Sequence, residues 1–426
     1  MSFRRVLYSL LLYLIFPFVI FRLLWRSRAN PAYRQRISER IGFVKVDIDK
    51  PVIWVHAVSV GETIAAKPLI EALISRYPNH RILVTATTPT GSDTVKALFG
   101  DRVAHVYFPY DLLEVVSRFI KRVKPQLLIV IETEIWPNLY AACHKNNIPL
   151  ALVNARLSQR STHKYLKIRP LVAETLGYIK LIAVRSSADK ERFKTLGASD
   201  DQLSIAGNIK FDFEESKKQI EQGRQWRKQL QYNKQVWVVA STHAGEDEKI
   251  LALYKSLQEQ FPTLLLVLIP RHPERFDDVF QLCTALESDG IKTVRHSQMD
   301  DYQNIQTNII LGDSMGEMQS WFATADVVFM GGSLVETGGH NPLEAIAQGV
   351  PVVSGPHMFN FDDIANQLSN EGLLSVCVSE ARVGEVVAHL LKQQASDSHF
   401  KKKAEDFMQQ HQGVTARLMT LLVNIF

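Results

Sequence analysis

The feature that most limits the fold of this chain is a series of continuous apolar runs of strand length, each followed by a segment of helical periodicity. The first four runs cover residues 52–57, 81–86, 126–131 and 149–153. They show no in/out alternation, so both faces must be buried, as in a parallel sheet covered by helices. Helical patterns follow at 62–76, 91–98, 112–123 and 137–145. A second series has strands at 236–240, 264–269, 309–311, 327–330 and 350–353, with helices at 245–260, 273–286, 316–325, 342–348 and 361–368. Between the two series, residues 212–234 are charged, Gln-rich and poor in apolar side chains, and read as a linker helix. The expected architecture is α/β, with two doubly wound Rossmann-like domains at 29–211 and 235–426 joined by that linker. Ligands are expected at the carboxyl ends of the strands, in a cleft faced by both domains.

The N-terminus carries a different signal. Residues 6–21 hold no charge and are bounded by Arg4 and Arg5 on one side and Arg22 and Arg26 on the other. The stretch approaches the ~20 residues a bilayer requires, once Arg22 snorkels and Leu23, Leu24 and Trp25 are counted. No Ala-x-Ala-like cleavage site follows, so an uncleaved anchor, spanning or interfacial, is expected over 1–28. Denser basic charge downstream favours a cytoplasmic position for the large domain and contact with anionic lipid head groups. Net charge is +5. Arg4, Arg5, Arg22, Arg26, Arg28, Arg34, Arg36 and Arg40 face one acid, Glu39, within that N-terminal stretch, and the remainder is slightly acidic. The basic balance therefore reports the N-terminus, and nothing points to nucleic acid. Cys143, Cys283 and Cys377 lie far apart and form no C-x-x-C pair; each reads as a small buried apolar residue in a reducing compartment.

Chemistry is expected in the strand-to-helix turns. In Ala57-Val58-Ser59-Val60-Gly61-Glu62-Thr63, Gly61 permits a tight turn and Glu62 stands at a helix start. Glu62 is either a partner of the helix dipole or a general base. Ile131-Glu132-Thr133-Glu134-Ile135-Trp136-Pro137 places two carboxylates at another strand end, which alternation would send to one side. Lys210, within Ala206-Gly207-Asn208-Ile209-Lys210-Phe211-Asp212, supplies a cation at the end of the first domain. In the second domain, Ser241 to Glu246, Pro270 to Phe276 and Asp313 to Met318 end successive strands. Arg271, beside His272, offers a bidentate fork for phosphate or carboxylate, and the turn around Met315, Gly316 and Glu317 offers fixed amides. Gly-Glu opens three helices, at Glu62, Glu246 and Glu317. His243, His272 and His340 lack ligand spacing, so no metal is expected. Asp47-Ile48-Asp49 has the spelling of a nucleotide-sugar metal motif but precedes the first strand and reads as a turn. A P-loop and an early G-x-G-x-x-G are both missing, which disfavours those nucleotide enzymes and leaves no cofactor implied.

The densest motif lies near the C-terminus. Residues 326–330 read as a buried strand, Gly331, Gly332, Gly338, Gly339 and His340 as a turn, and 341–347 as a helix start. Asn341 fits the N-cap, Pro342 the first helical position and Glu344 the third, a nearly complete capping box with Leu343 between. Amides at such a terminus attract an anion, so a phosphate-and-nucleoside pocket is expected there, against the plainer reading of a well-capped helix.

Taken in order, Ser59 to Glu62, Glu132 to Asn138, Gly207 to Asp212, Pro270 to Phe276 and Gly331 to Glu344 resemble the 3-deoxy-D-manno-octulosonic acid (Kdo) transferases of lipopolysaccharide assembly. The resemblance extends from the basic N-terminus to about Phe361. It implies a metal-independent GT-B glycosyltransferase on the cytoplasmic face of the inner membrane, with CMP-Kdo as donor and the tetraacyl lipid A precursor as acceptor. It implies that Glu62 is the general base and that Glu132 and Lys210 assist the transition state. Arg271, His272, Met315, Gly316, Glu317, Asn341, Pro342, Leu343 and Glu344 would bind CMP. A GT-B transferase or epimerase acting on a UDP-sugar, or a non-catalytic nucleotide-sugar binder at the membrane, remain the alternatives from the residues alone.

Overall fold

The computed structural model describes residues 1–28, 30–46, 49–230, 235–299, 301–303, 306–393 and 398–426. The Asp47–Ile48 part of the expected turn and the last residues of the expected linker, 231–234, lie outside these. The chain divides into two compact units, Met1–Phe213 with His411–Phe426, and Glu214–Gln410.

In the first unit, seven strands form one parallel sheet: β1 (Val52–His56), β2 (Arg81–Ala86), β3 (Ala104–Tyr107), β4 (Pro125–Ile131), β5 (Leu150–Ala155), β6 (Leu181–Val184) and β7 (Leu203–Ile205). Their spatial order is β3-β2-β1-β4-β5-β6-β7. Alternate residues of one strand enter different cores: Trp54, Leu128 and Val130 pack on one face, and Ile53, Val55 and Ile129 on the other. That double burial is why the strands read as unbroken apolar runs.

The second unit repeats the plan with β8 (Val236–Thr242), β9 (Leu265–Pro270), β10 (Thr293–Arg295), β11 (Ile309–Leu311), β12 (Val327–Met330), β13 (Val352–Ser354) and β14 (Leu374–Val376). Its order is β10-β11-β9-β8-β12-β13-β14, again parallel. In each sheet the first strand of the unit sits between neighbours whose connections run in opposite directions. That switch point leaves a crevice outside the strand carboxyl ends.

Several elements differ from the sequence reading. Strands β3, β6, β7, β10 and β14 are additional; they have three or four residues each, and all but β6 carry a polar residue, His105, Ser204, Thr293 with Arg295, and Ser375, in so short a run. The expected helix 62–76 is two helices, Val60–Ala65 and Lys67–Arg76, because Pro68 enters at the start of the second and cannot donate to the preceding turn.

The domain limits also shift. The second domain, expected to run to Phe426, ends at Gln410, and the helix Val414–Val423 packs on Lys67–Arg76 and β6 of the first unit. Asp212 holds it there, accepting the N–H groups of Gly413 and Thr415 at 2.8 and 2.5 Å. Packing between segments so far apart in sequence leaves no local trace. The segment expected as a linker is equally integrated: its helix Lys217–Gln229 lies against Met318–Phe322 within the second unit. Gly223 makes the close approach possible, since an added Cβ would stand 2.0 Å from the Ser320 carbonyl oxygen. The Gly223→Ala variant is therefore expected to lose about 1–3 kcal/mol of stability through overpacking, read as a lowered thermal midpoint. An unchanged midpoint would show that this helix is a detachable linker after all.

Candidate active site

In the first unit, functional side chains collect at the carboxyl ends of β1, β4, β5 and β6. The helix Val60–Ala65 begins directly after β1, with Ser59 as its N-cap accepting the Glu62 N–H. The Glu62 carboxylate is fixed in return: it accepts the Val58 N–H at 2.8 Å and the Ser59 hydroxyl at 3.0 Å. This is a capping box displaced by one residue. Both oxygens thus have one donor, and each keeps acceptor capacity for a substrate proton. Burial raises the Glu62 carboxyl above its ordinary value; the Val58 N–H opposes that shift and the charge of nearby Glu132 adds to it.

Glu132 occupies the first position after β4 in the left-handed region, φ 61°. A non-glycine residue there is strained and is held only by its surroundings. The surroundings are two guanidinium groups, Arg185 Nη2 at 2.6 Å and Arg156 Nε at 3.0 Å. Arg156 follows β5 and Arg185 follows β6, so Glu132 laces three strand ends together. Strict alternation fails at this residue, yet Glu134 still reaches the same cluster. Burial, then the charges of Glu62 and Glu132, push the Glu134 carboxyl up to about 7. Lys210 lies on the short 3₁₀ turn Ile209–Phe211, capped by Asn208. Asn154, itself at φ 54° near the end of β5, accepts the Ile209 N–H and draws that turn to the same edge. Arg156 and Arg185 were not selected from sequence, and Glu134 was singled out there only as one of two carboxylates at a strand end, with no role assigned. Arg156 and Arg185 each fall within two residues of the end of a buried strand, which is the signal that could have found them.

Of the three Gly-Glu helix starts, the two in the second unit, at Glu246 and Glu317, take partners different from those of Glu62 and from each other. Glu246 is fully buried, and its carboxylate accepts four backbone N–H groups: His243 at 2.9 Å, Gly332 at 2.6 Å, Ser333 at 3.0 Å and Leu334 at 2.8 Å. The amides that open the glycine turn are therefore taken by the protein's own carboxylate. Gly331 allows β12 to end this close to β8, since an added Cβ would meet the Ser241 oxygen at 2.4 Å. Glu317 instead accepts from the Ser314 hydroxyl and meets His296 Nε2 at 2.9 Å.

The helix after the glycine turn is shorter than expected, Leu343–Ala347, with Pro342 in the cap position. Asn341 Oδ1 accepts the Leu343 N–H at 3.2 Å, and Leu343 is buried. Glu344 does not close a capping box. It turns to Gln319 Nε2 at 3.1 Å, and burial raises its carboxyl above the ordinary range. Gln319 follows the Met315–Gly316–Glu317 turn, where Met315 is exposed and Gly316 is at φ 84°, so that turn and Glu344 belong to one cluster.

Arg271 and His272 follow β9; the Arg271 N–H is fixed to the Thr242 carbonyl at 3.0 Å. Among the described residues no carboxylate pairs with the Arg271 guanidinium, whereas Arg275 is committed to Asp247 and the Thr242 carbonyl. Arg271 is thus the charge at this edge that an anionic ligand can use. His340 stacks on His243 with ring centroids 5.2 Å apart and Nε2 atoms 2.9 Å apart. Burial, then the charges of His243 and Arg271, lower His340 to about 4, so one neutral ring donates to the other. His272 meets His243 edge-on. No group of three His, Cys, Asp or Glu side chains among the described residues is arranged to hold a metal ion.

Comparison with known proteins places these residues in context. A family model described as 3-deoxy-D-manno-octulosonic-acid transferase (kdotransferase) matches residues 35–213, and one described as glycosyl transferases group 1 matches 224–407. The chain is 40% identical over 421 residues to the 3-deoxy-D-manno-octulosonic acid transferase of Haemophilus influenzae, covering 98% of each chain. It is 32% identical to the enzyme of the same name from Bordetella pertussis, again over 98% of each. Among solved structures, UDP-GlcNAc 2-epimerase from Neisseria meningitidis bound to UDP-GlcNAc aligns with a TM-score of 0.57, covering 88% of this chain and 100% of that one. At 14% identity that likeness shows a shared fold.

The raised Glu134 carboxyl makes stability depend on pH. Below about 4.5 the group is protonated in both folded and unfolded chains and contributes no dependence. Between about 4.5 and about 7 the unfolded chain releases the proton more readily, so stability falls as pH rises through that window. Glu134→Gln, which cannot ionise, is expected to match the wild type in urea melts at pH 4 and to exceed it at pH 8. Equal stability at both pH values would contradict the raised Glu134.

Proposed function

This chain belongs to the 3-deoxy-D-manno-octulosonic acid (Kdo) transferase family, and we propose that it moves Kdo from CMP-Kdo to the tetraacyl disaccharide bisphosphate precursor of lipid A. The observation that carries the chemical part is the carboxylate at the end of β1: Glu62 is held by two donors, lifted by burial, and set beside a paired Glu132 and a high Glu134.

An acceptor hydroxyl is a weak nucleophile until a positioned carboxylate takes its proton as the new bond forms. Glu62 is assigned that role. The acceptor oxygen bonds to the anomeric carbon of Kdo, the bond from that carbon to the CMP phosphate oxygen breaks, and CMP leaves with the electron pair. A single direct displacement inverts the anomeric centre and needs no covalent enzyme intermediate. Glu132 acts by holding Arg156 and Arg185, so that positive charge rather than a third bare carboxylate meets the developing transition state. The Kdo carboxylate is an anion that Lys210 is suited to receive.

Donor recognition is assigned to the second unit. The guanidinium of Arg271, with no carboxylate paired to it among the described residues, takes the CMP phosphate. His272, the Met315–Gly316–Glu317 turn and Asn341, Pro342 and Leu343 frame the nucleotide. Glu344, whose charge would repel phosphate, serves the ribose hydroxyls. The family is membrane-associated, and the helix Phe3–Arg26 is long and apolar enough to cross a bilayer by length and composition. We place the enzyme on the cytoplasmic face of the inner membrane, where anionic lipids meet its N-terminal arginines.

Incubating the protein with CMP-Kdo and the tetraacyl precursor should add the mass of Kdo to the lipid in mass spectrometry, while UDP-sugars should add nothing. Transfer from a UDP-sugar in place of CMP-Kdo would overturn the donor. Arg271→Ala and Glu344→Ala should each weaken CMP binding about 10- to 100-fold in calorimetry, as loss of a charge-assisted hydrogen bond requires. Unchanged affinity in both would place the nucleotide elsewhere.

A further inference from the structure

The N-terminal helix Phe3–Arg26 has two faces that its uncharged middle, residues 6–21, conceals. Ser2, Arg5, Ser9, Leu12, Phe16 and Leu23 recur at helical spacing and are turned inward along its whole length. They are tied to the first unit at successive levels. The Ser2 hydroxyl donates to Glu174, and Arg5 donates to the Tyr178 hydroxyl at 3.3 Å. Ser9, 3% exposed, donates to Asn138 Oδ1 at 3.1 Å, and Tyr8 donates to Asp111 at 2.9 Å. Asp111 is itself buried and accepts the N–H groups of Asn138 and Leu139. Further along, Tyr13 donates to Glu114 and Phe16 meets Tyr110 edge-on at 5.4 Å. Beyond the last turn, Arg34 donates to the Ser27 hydroxyl.

A helix of this length runs about 36 Å, close to the ~30 Å of a bilayer's hydrocarbon core. If it crossed the membrane with these contacts intact, Glu174, Asp111, Glu114 and Asn138 would be carried into hydrocarbon beside it. Charged and polar groups there are costly. The opposite face has a different character: Leu7, Leu10, Leu14, Phe18, Phe21 and Trp25 are outward and at least 60% exposed. Exposed Arg4, Arg22, Arg26 and Arg28 flank that face. Arg26 and Arg28 also line a cavity with Trp25, Asn30 and Tyr33 at the helix end, an aromatic and guanidinium lining matched to a phosphate head group.

We propose that this helix is an in-plane membrane arm: its inner face is fixed along the first unit, and its outer face lies in the boundary between head groups and acyl chains of an anionic leaflet. The proposal rests on the membrane-associated reading above and replaces a crossing helix with an interfacial one. The occupant of the apolar face is lipid, because the exposed apolar row is bounded at both ends by exposed arginines, Arg4 on one side and Arg22, Arg26 and Arg28 on the other, which one anionic leaflet can meet together. In-plane docking also sets the unit that carries Glu62 at the depth of a lipid acceptor's head group.

The test uses the full chain with single cysteines at Leu7→Cys, Leu14→Cys or Phe21→Cys on the outer face, each bearing an environment-sensitive probe. Cys143, Cys283 and Cys377 are buried and stay unlabelled. Proteins are bound to sealed vesicles of phosphatidylcholine and phosphatidylglycerol brominated at shallow or deep acyl positions. The proposal predicts equal quenching at all three sites, strongest with the shallow bromines, and labelling of Arg4→Cys and Arg26→Cys by an impermeant thiol reagent from the same side. A depth gradient with Leu14→Cys deepest, and Arg4→Cys and Arg26→Cys reached from opposite sides, would establish a span and overturn it. Failure of the wild type to float with vesicles would overturn the membrane-associated reading itself, and the proposal with it.

Discussion

Both units rest on one constraint, a seven-stranded parallel sheet buried on both faces. Every strand in such a sheet points the same way, and its interior residues are consumed by packing. Trp54, Ile53 and Val55 of β1, all fully buried, show how completely. Chemistry is therefore confined to the carboxyl ends, where helix starts and turn residues are free to be polar. Glu62, Glu132, Arg156 and Arg185 stand at the ends of β1, β4, β5 and β6, and Arg271 and Glu246 at the ends of β9 and β8. The same ladder that builds the core also gathers the site.

Buried charge is handled differently at the two edges. In the first unit, Glu132 is neutralised by two guanidinium groups and Glu62 by two hydrogen bonds, while Glu134 receives neither cation and rises to about 7. One strained residue, Glu132 at φ 61°, thereby draws Arg156 and Arg185 to this edge, while burial lifts the neighbouring Glu62 and Glu134 carboxyls. In the second unit, Glu246 meets four amides and has no unpaired charge to offer a ligand. It fixes the glycine turn, and Arg271, with no carboxylate paired to it among the described residues, is the cation proposed for the donor.

The strands that define the fold were legible because their burial is total and their runs unbroken. Edge strands such as β10 and β14, three residues long, carried no such pattern. The return of Val414–Val423 to the first unit was invisible because it depends on Asp212, about two hundred residues away in sequence. Among site residues, Glu62, Glu132 and Arg271 could be selected from their position after a strand. The different fates of Glu62, Glu246 and Glu317 could not, since each is spelled Gly-Glu and only three-dimensional neighbours distinguish a carboxylate with acceptor capacity left, such as Glu62, from one spent on four amides, such as Glu246. The two faces of the N-terminal helix were hidden for a related reason: Leu12 and Leu14 are identical in the sequence and opposite in the structure.

The central claim is that proton transfer belongs to Glu62 and nucleotide recognition to the second unit. Its most direct test is single-turnover transfer by Glu62→Ala beside the wild type, with CMP affinity measured on the same preparations. The account predicts a rate lower by about 10²–10⁴-fold, the usual contribution of a general base, with CMP affinity unchanged. A rate near that of the wild type, or a CMP affinity that falls with the rate, would contradict it.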